Sequence, residues 1–281
     1  MANYSLADIK DLREATGAGM MDVKKALEEA EGDKDKALEI IRVKGLKGVS
    51  KRESRSASDG LVAAEVVTAG DGENEVGVIV EVNSETDFVT KNATFITLAE
   101  KVLATAVASG ARDADALISA DVDGKPLSEI VDETAAVLGE KLVVRRLERV
   151  AGEKVTVYLH KVNKDLPPQV GVLVATDAKG AEIARDIATH IAAYSPAYLT
   201  RDDVPAETVE NERRIAEETS RNEGKPEAAL PKIVEGRLNG FFKEVVLLDQ
   251  PFAKDPKKSV GQVLAEAGGT VTGFVRYRVG A

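Results

Sequence analysis

Few residues of this 281-residue chain could carry out catalysis or bind a metal, since it contains two histidines and no cysteine. His160 and His190 stand thirty positions apart, which excludes the His-Glu-x-x-His spacing of a zinc-binding helix. The lack of cysteine excludes disulfides, thiolate metal sites and cysteine nucleophiles. The glycine-rich patterns that bind phosphates and the Gly-x-Ser-x-Gly pattern of hydrolases do not occur. The sequence therefore predicts a protein that is not an enzyme and has no catalytic residue, metal or cofactor.

The two histidines have structural interpretations. His160 follows Tyr158 in an alternating segment that is typical of a strand, which indicates a half-exposed sheet residue. His190 lies near Ile187 and Ile191 in a segment with helical periodicity. A packed or surface imidazole fits that position better than a metal ligand.

Charge and composition narrow the range of partners. The net charge of −10 argues against broad binding to nucleic acid, which requires a basic face, and it favours a basic partner surface. The start of the chain lacks the basic and apolar regions of a signal peptide, and no apolar run approaches the length of a membrane span. We therefore expect a cytoplasmic protein that binds neither membrane nor DNA.

The segment Thr86-Asp87-Phe88-Val89 is unusual for its position between a predicted strand and a predicted helix. Polar residues are expected in such a turn, yet Phe88 and Val89 are large and apolar. On the residues alone, packing of Phe88 beneath the following helix is the favoured interpretation, with Asp87 in a local turn bond. Exposure of the segment to a partner is the alternative.

A second unusual feature is the pair Met20-Met21, which opens a predicted helix and contains two of the three methionines. Adjacent residues cannot share one helix face, so at least one of the pair is expected to point away from the core. An exposed methionine offers an adaptable contact surface. The alternative is a packing contact at the helix start, which one of the two is expected to make.

The elements that must position these residues change character along the chain. Residues 5–44 predict three short helices, and residues 42–55 carry six Lys/Arg and one Glu, which indicates a basic linker. A unit of about 45 residues has a marginal core, so it suits docking better than catalysis. Beyond it, strands are predicted over 61–68, 75–82 and 142–150, with helices over 92–109 and 128–139.

The strand–loop–helix order then recurs. Residues 76–80 (VGVIV) reappear as 170–174 (VGVLV), and each run precedes a loop and an amphipathic helix. This repeat predicts an α+β fold with two related subdomains, each a small antiparallel sheet covered by helices. A charged, helix-forming stretch broken at Gly224-Lys225-Pro226 predicts an inserted helical hairpin over about 200–243. The predicted units are residues 1–55, 56–151 and 152–281.

Four segments of the chain resemble the translation elongation factor Ts family. They are residues 12–27 (LREATGAGMMDVKKAL), 81–92 (EVNSETDFVTKN), 235–238 (EGRL) and 271–276 (VTGFVR). The resemblance spans essentially the whole chain. It implies a small three-helix, ubiquitin-associated-like domain, a core of two subdomains and an inserted helical hairpin.

The resemblance also implies a function. Members of this family are guanine-nucleotide exchange factors that bind elongation factor Tu in its GDP-bound and nucleotide-free forms. By this resemblance, Thr86, Asp87, Phe88 and Val89 would disturb the Mg²⁺ site of that partner and loosen GDP, without direct nucleotide binding by the factor. Leu12, Met20 and Met21 would contact the same domain of the partner, and His160 would contact another.

One other class of function remains open at the level of the sequence. The basic segment 42–55 could contact RNA, which would make the chain an RNA-associated or chaperone-like factor. A solvated hinge is the favoured interpretation of that segment.

Overall fold

The computed structural model describes residues 3–16, 18–70 and 72–281. Gly17 of the predicted break and Asp71 of the predicted hairpin turn lie outside the described residues. The helices are α1 Leu6–Thr16, α2 Met20–Glu29, α3 Lys34–Arg52, α4 Asp87–Thr90, α5 Ala93–Ser109, α6 Ala114–Ile118, α7 Leu127–Leu138, α8 Ala184–Tyr194, α9 Ala206–Asn222, α10 Leu230–Val245 and α11 Val260–Ala267. The strands are β1 Asp59–Thr68, β2 Glu75–Ser84, β3 Asp121–Val122, β4 Lys125–Pro126, β5 Val143–Gly152, β6 Lys154–His160, β7 Val170–Thr176, β8 Pro251–Phe252, β9 Asp255–Ser259 and β10 Val271–Arg278. Short 3₁₀ helices cover Gly180–Glu182, Arg201–Asp203, Glu227–Ala229 and Leu247–Asp249.

The amino-terminal unit consists of α1, α2 and α3. A reciprocal capping box between Ser5 and Asp8 starts α1, and the Asp33 carboxylate caps the first amides of α3. The predicted apolar stripes form one small core, made of Ile9, Leu12, Val23, Ala26, Leu27, Ala30, Ala37 and Ile41. The three-helix prediction is confirmed.

The linker predicted over 42–55 is wrong for most of its length, because α3 continues to Arg52. The cause is tertiary packing of α3 against α7. Gly45 permits the contact, since a Cβ there would lie 2.3 Å from the carbonyl oxygen of Ala136. Arg52 also donates to the carbonyl of Ala135, at 3.3 Å. The helix therefore ties the amino-terminal unit directly to the next one.

The first core subdomain is an antiparallel sheet of order β1-β2-β5, with α5 and α7 on one face. Its central strand β2 is almost entirely buried, which explains its run of apolar residues. Asn92 starts α5 by accepting the amide of Thr94, as its position before the helix predicts. This sheet places the segment 86–89 at the end of its central strand.

The second core subdomain repeats that arrangement. Its antiparallel sheet has the order β6-β7-β10, so an initial hairpin is again joined by a late strand on the other side of the centre. Helices α8 and α11 pack on its outer face, and a capping box between Ser259 and Gln262 begins α11. The α+β fold class and the internal repeat are confirmed.

The two sheets pack face to face around glycines that occupy equivalent places in the repeat. A Cβ on Gly77 would lie 2.8 Å from Val155 and 3.0 Å from Leu173. A Cβ on Gly171 would lie 2.5 Å from Val62 and 2.9 Å from Ile79. These contacts are related by exchange of the two halves, so the subdomains meet with approximate two-fold symmetry.

The helical hairpin of α9 and α10 is inserted between α8 and α11. Its root is closed by a bridge between Tyr198 and Val246, and the amides of Ala197 and Tyr198 both donate to the carbonyl of Val245. Ala216, Val234 and Leu238 form its own small core. None of the helices in the described part of the chain combines the length and apolar character needed to cross a membrane.

Candidate functional site

Phe88 is the most exposed aromatic residue in the described part of the chain, with 77% of its surface accessible. It lies on α4, a single turn of four residues, whereas Val89 in the next position is buried in the core of the first subdomain. The favoured interpretation from residue types, in which Phe88 packs under the following helix, is therefore wrong. Val89 fills that role and leaves Phe88 pointing outward.

Hydroxyl groups hold α4 from inside. The Ser84 hydroxyl lies 2.9 Å from that of Thr90 and 3.0 Å from the carbonyl oxygen of Thr86. Ser84 and Thr90 are both fully buried. The turn is thus fastened at both ends to the last residue of β2, and its exposed phenylalanine stands on a rigid base.

A carboxylate from another part of the chain holds the entrance of α4. Glu140, just after α7, accepts hydrogen bonds from the amides of Glu85 and Thr86, at 3.1 and 3.0 Å. It also accepts one from the Thr86 hydroxyl at 2.5 Å. Neither residue type nor spacing marked Glu140 as a site residue, since it lies far from the segment in sequence.

A second set of contacts joins this entrance to the end of α3. The Glu85 carboxylate accepts the amide of Lys141 at 2.7 Å and pairs with Arg55 at 3.2 Å. The Lys141 ammonium donates to the carbonyls of Glu53 and Arg55, at 2.5 and 3.0 Å. The entrance of α4, the turn after α7 and the end of α3 therefore meet at one junction.

The outer surface of α4 carries one charged pair beside the aromatic ring. The Lys91 ammonium lies 3.4 Å from the Asp87 carboxylate and 5.1 Å from the centre of the Phe88 ring. Both charged side chains are partly exposed, so this pair adds little to stability. It leaves the opposite face of the ring free for contact.

The amino-terminal residues expected to meet a partner divide into two groups. Met20 and Met21 are 56% and 61% exposed at the start of α2. Leu12 is 6% exposed and belongs to the three-helix core. The expectation that Leu12 offers a contact surface is not supported, because its helical spacing from Ile9 turns it inward.

His160 is exposed at the end of β6, where its Nδ1 lies 3.1 Å from the Tyr158 hydroxyl. The neighbouring apolar residues Leu159 and Val162 are 36% and 58% exposed. Sequence reasoning missed both of them, although an apolar residue just past a strand end was an available signal for Val162. Leu159 and His160 face opposite sides of β6, so these apolar residues lie near His160 in the chain without surrounding it.

His190 is fully buried and fixed by two hydrogen bonds. Its Nδ1 accepts the amide of Ala253 at 3.2 Å, so the proton lies on Nε2, which donates to Gln250 at 2.8 Å. Burial lowers the pKa of His190, although the hydrogen bond that it donates to Gln250 opposes the shift. Within the described ranges, no group of three histidines or carboxylates could hold a metal ion.

Exposed apolar side chains on a rigidly held turn, with further exposed apolar residues on separate units, are features of a protein-binding factor. A family model described as Elongation factor TS matches residues 85–281. Elongation factor Ts of Beutenbergia cavernae is 70% identical over 281 residues, covering both chains completely. Those of Kocuria rhizophila and Micrococcus luteus are each 66% identical, again over the whole of both chains. The chain belongs to the elongation factor Ts family, and its role lies in translation elongation.

Proposed function

We propose that this chain is the guanine-nucleotide exchange factor for elongation factor Tu, which it binds in the GDP-bound form in the cytoplasm. Segment Thr86–Val89 enters the nucleotide domain of the partner, disturbs its Mg²⁺ site and promotes release of GDP. The single observation that supports this most is the exposure of Phe88 on a turn braced from three sides. A residue that packs only for stability would not be 77% exposed.

The division of labour within α4 follows from burial. Val89 anchors the turn in the core, and the Thr86 backbone and hydroxyl are committed to Glu140. Phe88 and Asp87 are left to face the partner. Phe88 supplies apolar surface, while the Asp87 carboxylate supplies a negative charge that competes with the oxygen ligands of a bound cation.

The energy available from Phe88 sets the size of its contribution. Full burial of a phenylalanine side chain is worth about 1.5–3 kcal/mol. If that energy is gained only in the nucleotide-loosened state, it weakens GDP binding by about ten- to hundredfold. Larger acceleration requires other contacts, for which Met20, Met21 and His160 are the exposed candidates.

Linkage gives the proposal a further consequence. If the factor weakens binding of GDP, then GDP weakens binding of the factor by the same ratio. High concentrations of nucleotide should therefore dissociate the complex, and the cycle requires no covalent chemistry by this chain.

The RNA-associated alternative finds no support in the contacts of the basic segment. Among its cationic side chains that the structure describes, Arg42 pairs with Glu133, Lys44 with Glu29 and Arg55 with Glu85. Arg52 is directed to the Ala135 carbonyl. These charges are engaged within the protein, so we retain the exchange function as the conclusion.

The test is release of fluorescent GDP from elongation factor Tu, measured by stopped flow over a range of factor concentrations. Phe88→Ala should lower the maximal release rate about ten- to hundredfold, with a smaller loss of affinity for the GDP-bound partner. Tyr194→Ala is the matched control, because Tyr194 is a second exposed aromatic that lies outside the candidate site. Unchanged release by Phe88→Ala would show that Phe88 is not a residue that loosens GDP.

A further inference from the structure

In each subdomain, a carboxylate that follows the central strand accepts an amide of the chain just before the third strand. In the first, Glu85 directly follows β2 and its carboxylate accepts the amide of Lys141, just before β5. In the second, Asp177 directly follows β7 and its carboxylate accepts the amide of Thr270 at 3.1 Å, just before β10. The two carboxylates are not at equivalent positions, because the register that matches Gly77 with Gly171 places Asp177 at Asn83. A clamp of this kind therefore forms in both halves, at different positions.

The residue that precedes the clamped amide differs between the halves. It is Glu140 in the first subdomain and Gly269 in the second. Glu140 sends its carboxylate to Glu85 and Thr86, as described above. Gly269 instead lies directly against Gly180, where a Cβ would come within 2.5 Å of the Gly180 Cα. Of these two residues, only Glu140 has a carboxylate, and it lies beside the loop that exposes Phe88.

The second loop is closed by its own side chain. Asp177 accepts the amide of Gly180 at 2.6 Å in addition to that of Thr270. In the first loop, the hydroxyls of Ser84 and Thr90 close the turn from inside. The Glu85 carboxylate is engaged with Lys141 and Arg55. The amides of Glu85 and Thr86, at the entrance of the turn, are held from outside by Glu140.

A four-residue helix cannot set its own direction, because isolated turns are unstable in water. Thr86 stands at the N-cap of α4 but makes no side-chain cap bond, since its hydroxyl donates to Glu140. Phe88 follows two residues later in the same rigid turn. A shift at Thr86 is therefore transmitted directly to the Phe88 ring.

We propose that Glu140 is a positioning residue for Phe88, which fixes the direction of α4 before the partner binds. This inference rests on the proposed exchange function. Preorganisation matters because a loop that becomes ordered only during binding loses part of its interaction energy to that ordering. Glu140 itself faces the loop backbone, so we expect it to affect the loosening of GDP and to leave the initial docking of the GDP-bound partner intact.

The main test compares Glu140→Ala with the wild type in the GDP-release assay. We expect Glu140→Ala to lower the maximal release rate about tenfold, with the half-saturating factor concentration within about twofold of wild type. Glu133→Ala is the matched control, since Glu133 is a half-buried glutamate of α7 that pairs with Arg42 and Lys125, away from α4. It should release GDP at the wild-type rate.

A conservative variant separates positioning from folding. In Glu140→Gln, the amide oxygen can accept from the Glu85 and Thr86 amides, while its nitrogen donates to the Thr86 hydroxyl. This variant should keep more than half of the wild-type rate. Loss equal to that of Glu140→Ala would show that side-chain geometry at this position is not what matters, and it would overturn the proposal.

A double-mutant cycle tests whether Glu140 acts through Phe88. If it does, Phe88→Ala with Glu140→Ala should release GDP no more slowly than Phe88→Ala alone. Multiplicative losses would overturn the proposal. The exchange function itself fails separately, if wild-type factor does not accelerate release, whereas a normal rate for Glu140→Ala beside a slow Phe88→Ala refutes the positioning role alone.

A readout without the partner completes the experiment. The chain contains no tryptophan, so Phe88→Trp introduces a single indole at the tip of α4. Addition of Glu140→Ala should lower its fluorescence anisotropy, while Glu133→Ala should leave it unchanged. Far-UV circular dichroism of the same samples verifies folding, and an unchanged anisotropy in folded Glu140→Ala would contradict the proposal.

Discussion

The loops that follow the two central strands have the same place in the fold and opposite surfaces. Residues 85–92 expose Phe88 on a short helix. Residues 177–183 bury Gly180, and their exposed side chains are Ala178, Lys179 and Glu182. A common scaffold thus supports one loop that can enter a partner and one that is closed. This difference indicates that the repeated fold determines stability, while function depends on the exposed Phe88 that one loop carries.

The interface between the two sheets is also symmetric at some positions and asymmetric at others. Gly77 and Gly171 are equivalent, but Glu81 stands where the second half has Ala175. Glu81 is fully buried, bonded to Arg146 at 2.7 Å and to the amide of Gly280 at 3.2 Å. A buried carboxylate must have partners of this kind, so the two-fold relation ends where this network begins.

The largest expected effect tests whether the two equivalent glycines at the interface between the sheets are packed in the same way. Gly171→Ala and Gly77→Ala each insert a methyl group between the sheets, so each should lower the free energy of unfolding by about 1–3 kcal/mol. The tighter approach at Gly171 predicts the larger loss. Urea denaturation measures both, with Gly236→Ala as control because nothing lies within 4 Å of a Cβ there. Loss at only one glycine would show that the halves are not packed equivalently.

A smaller expected effect is the pH dependence of stability, to which His190 of the second subdomain contributes. Burial lowers the pKa of His190 below its ordinary value of 6.5, whereas α5, the covering helix of the first subdomain, has no histidine. Below pH 6.5 the unfolded chain gains a proton that the folded chain does not, so stability falls as pH falls, by at most about 1.4 kcal/mol per unit. The urea midpoint should drop less between pH 7.5 and 5.5 in His190→Gln. An equal drop would place the pH sensitivity elsewhere.

The smallest effect concerns the clamp of the closed loop. Backbone hydrogen bonds from Gly180 and Thr270 lower the pKa of Asp177. Asp177→Ala should lower the melting temperature slightly. It should leave the maximal rate of GDP release at the wild-type value, since this loop does not carry Phe88. The exposed Asp202 supplies a control, as Asp202→Ala. Slower release by Asp177→Ala would contradict the separation of roles drawn between the loops.

Most of the architecture could be predicted from local patterns. Helical periodicity identified the core of the three-helix unit, and the recurrence of VGVIV as VGVLV identified the two sheets. Capping residues such as Asn92 marked helix starts within a residue or two. These signals lie in short stretches of chain, so tertiary contacts were not needed to read them.

Two of the errors depend on contacts that the local sequence does not reveal. The extension of α3 depends on packing against α7, which the composition of 42–55 does not reveal. The exposure of Phe88 depends on Val89 taking the buried place and on Glu140 holding the turn from outside. Residue types alone favoured the buried alternative for Phe88, and only family resemblance pointed to the segment as a site.

The closed root of the helical hairpin has a consequence for the speed of folding. Strands β7 and β10 pair across a long stretch of chain, and closing a longer loop costs more entropy. The hairpin accounts for about half of that stretch, and the bridge between Tyr198 and Val246 brings its two ends together. Because α9 and α10 contact each other locally, the hairpin can form early and shorten the effective loop. The insertion then delays completion of the second sheet far less than its length in residues suggests.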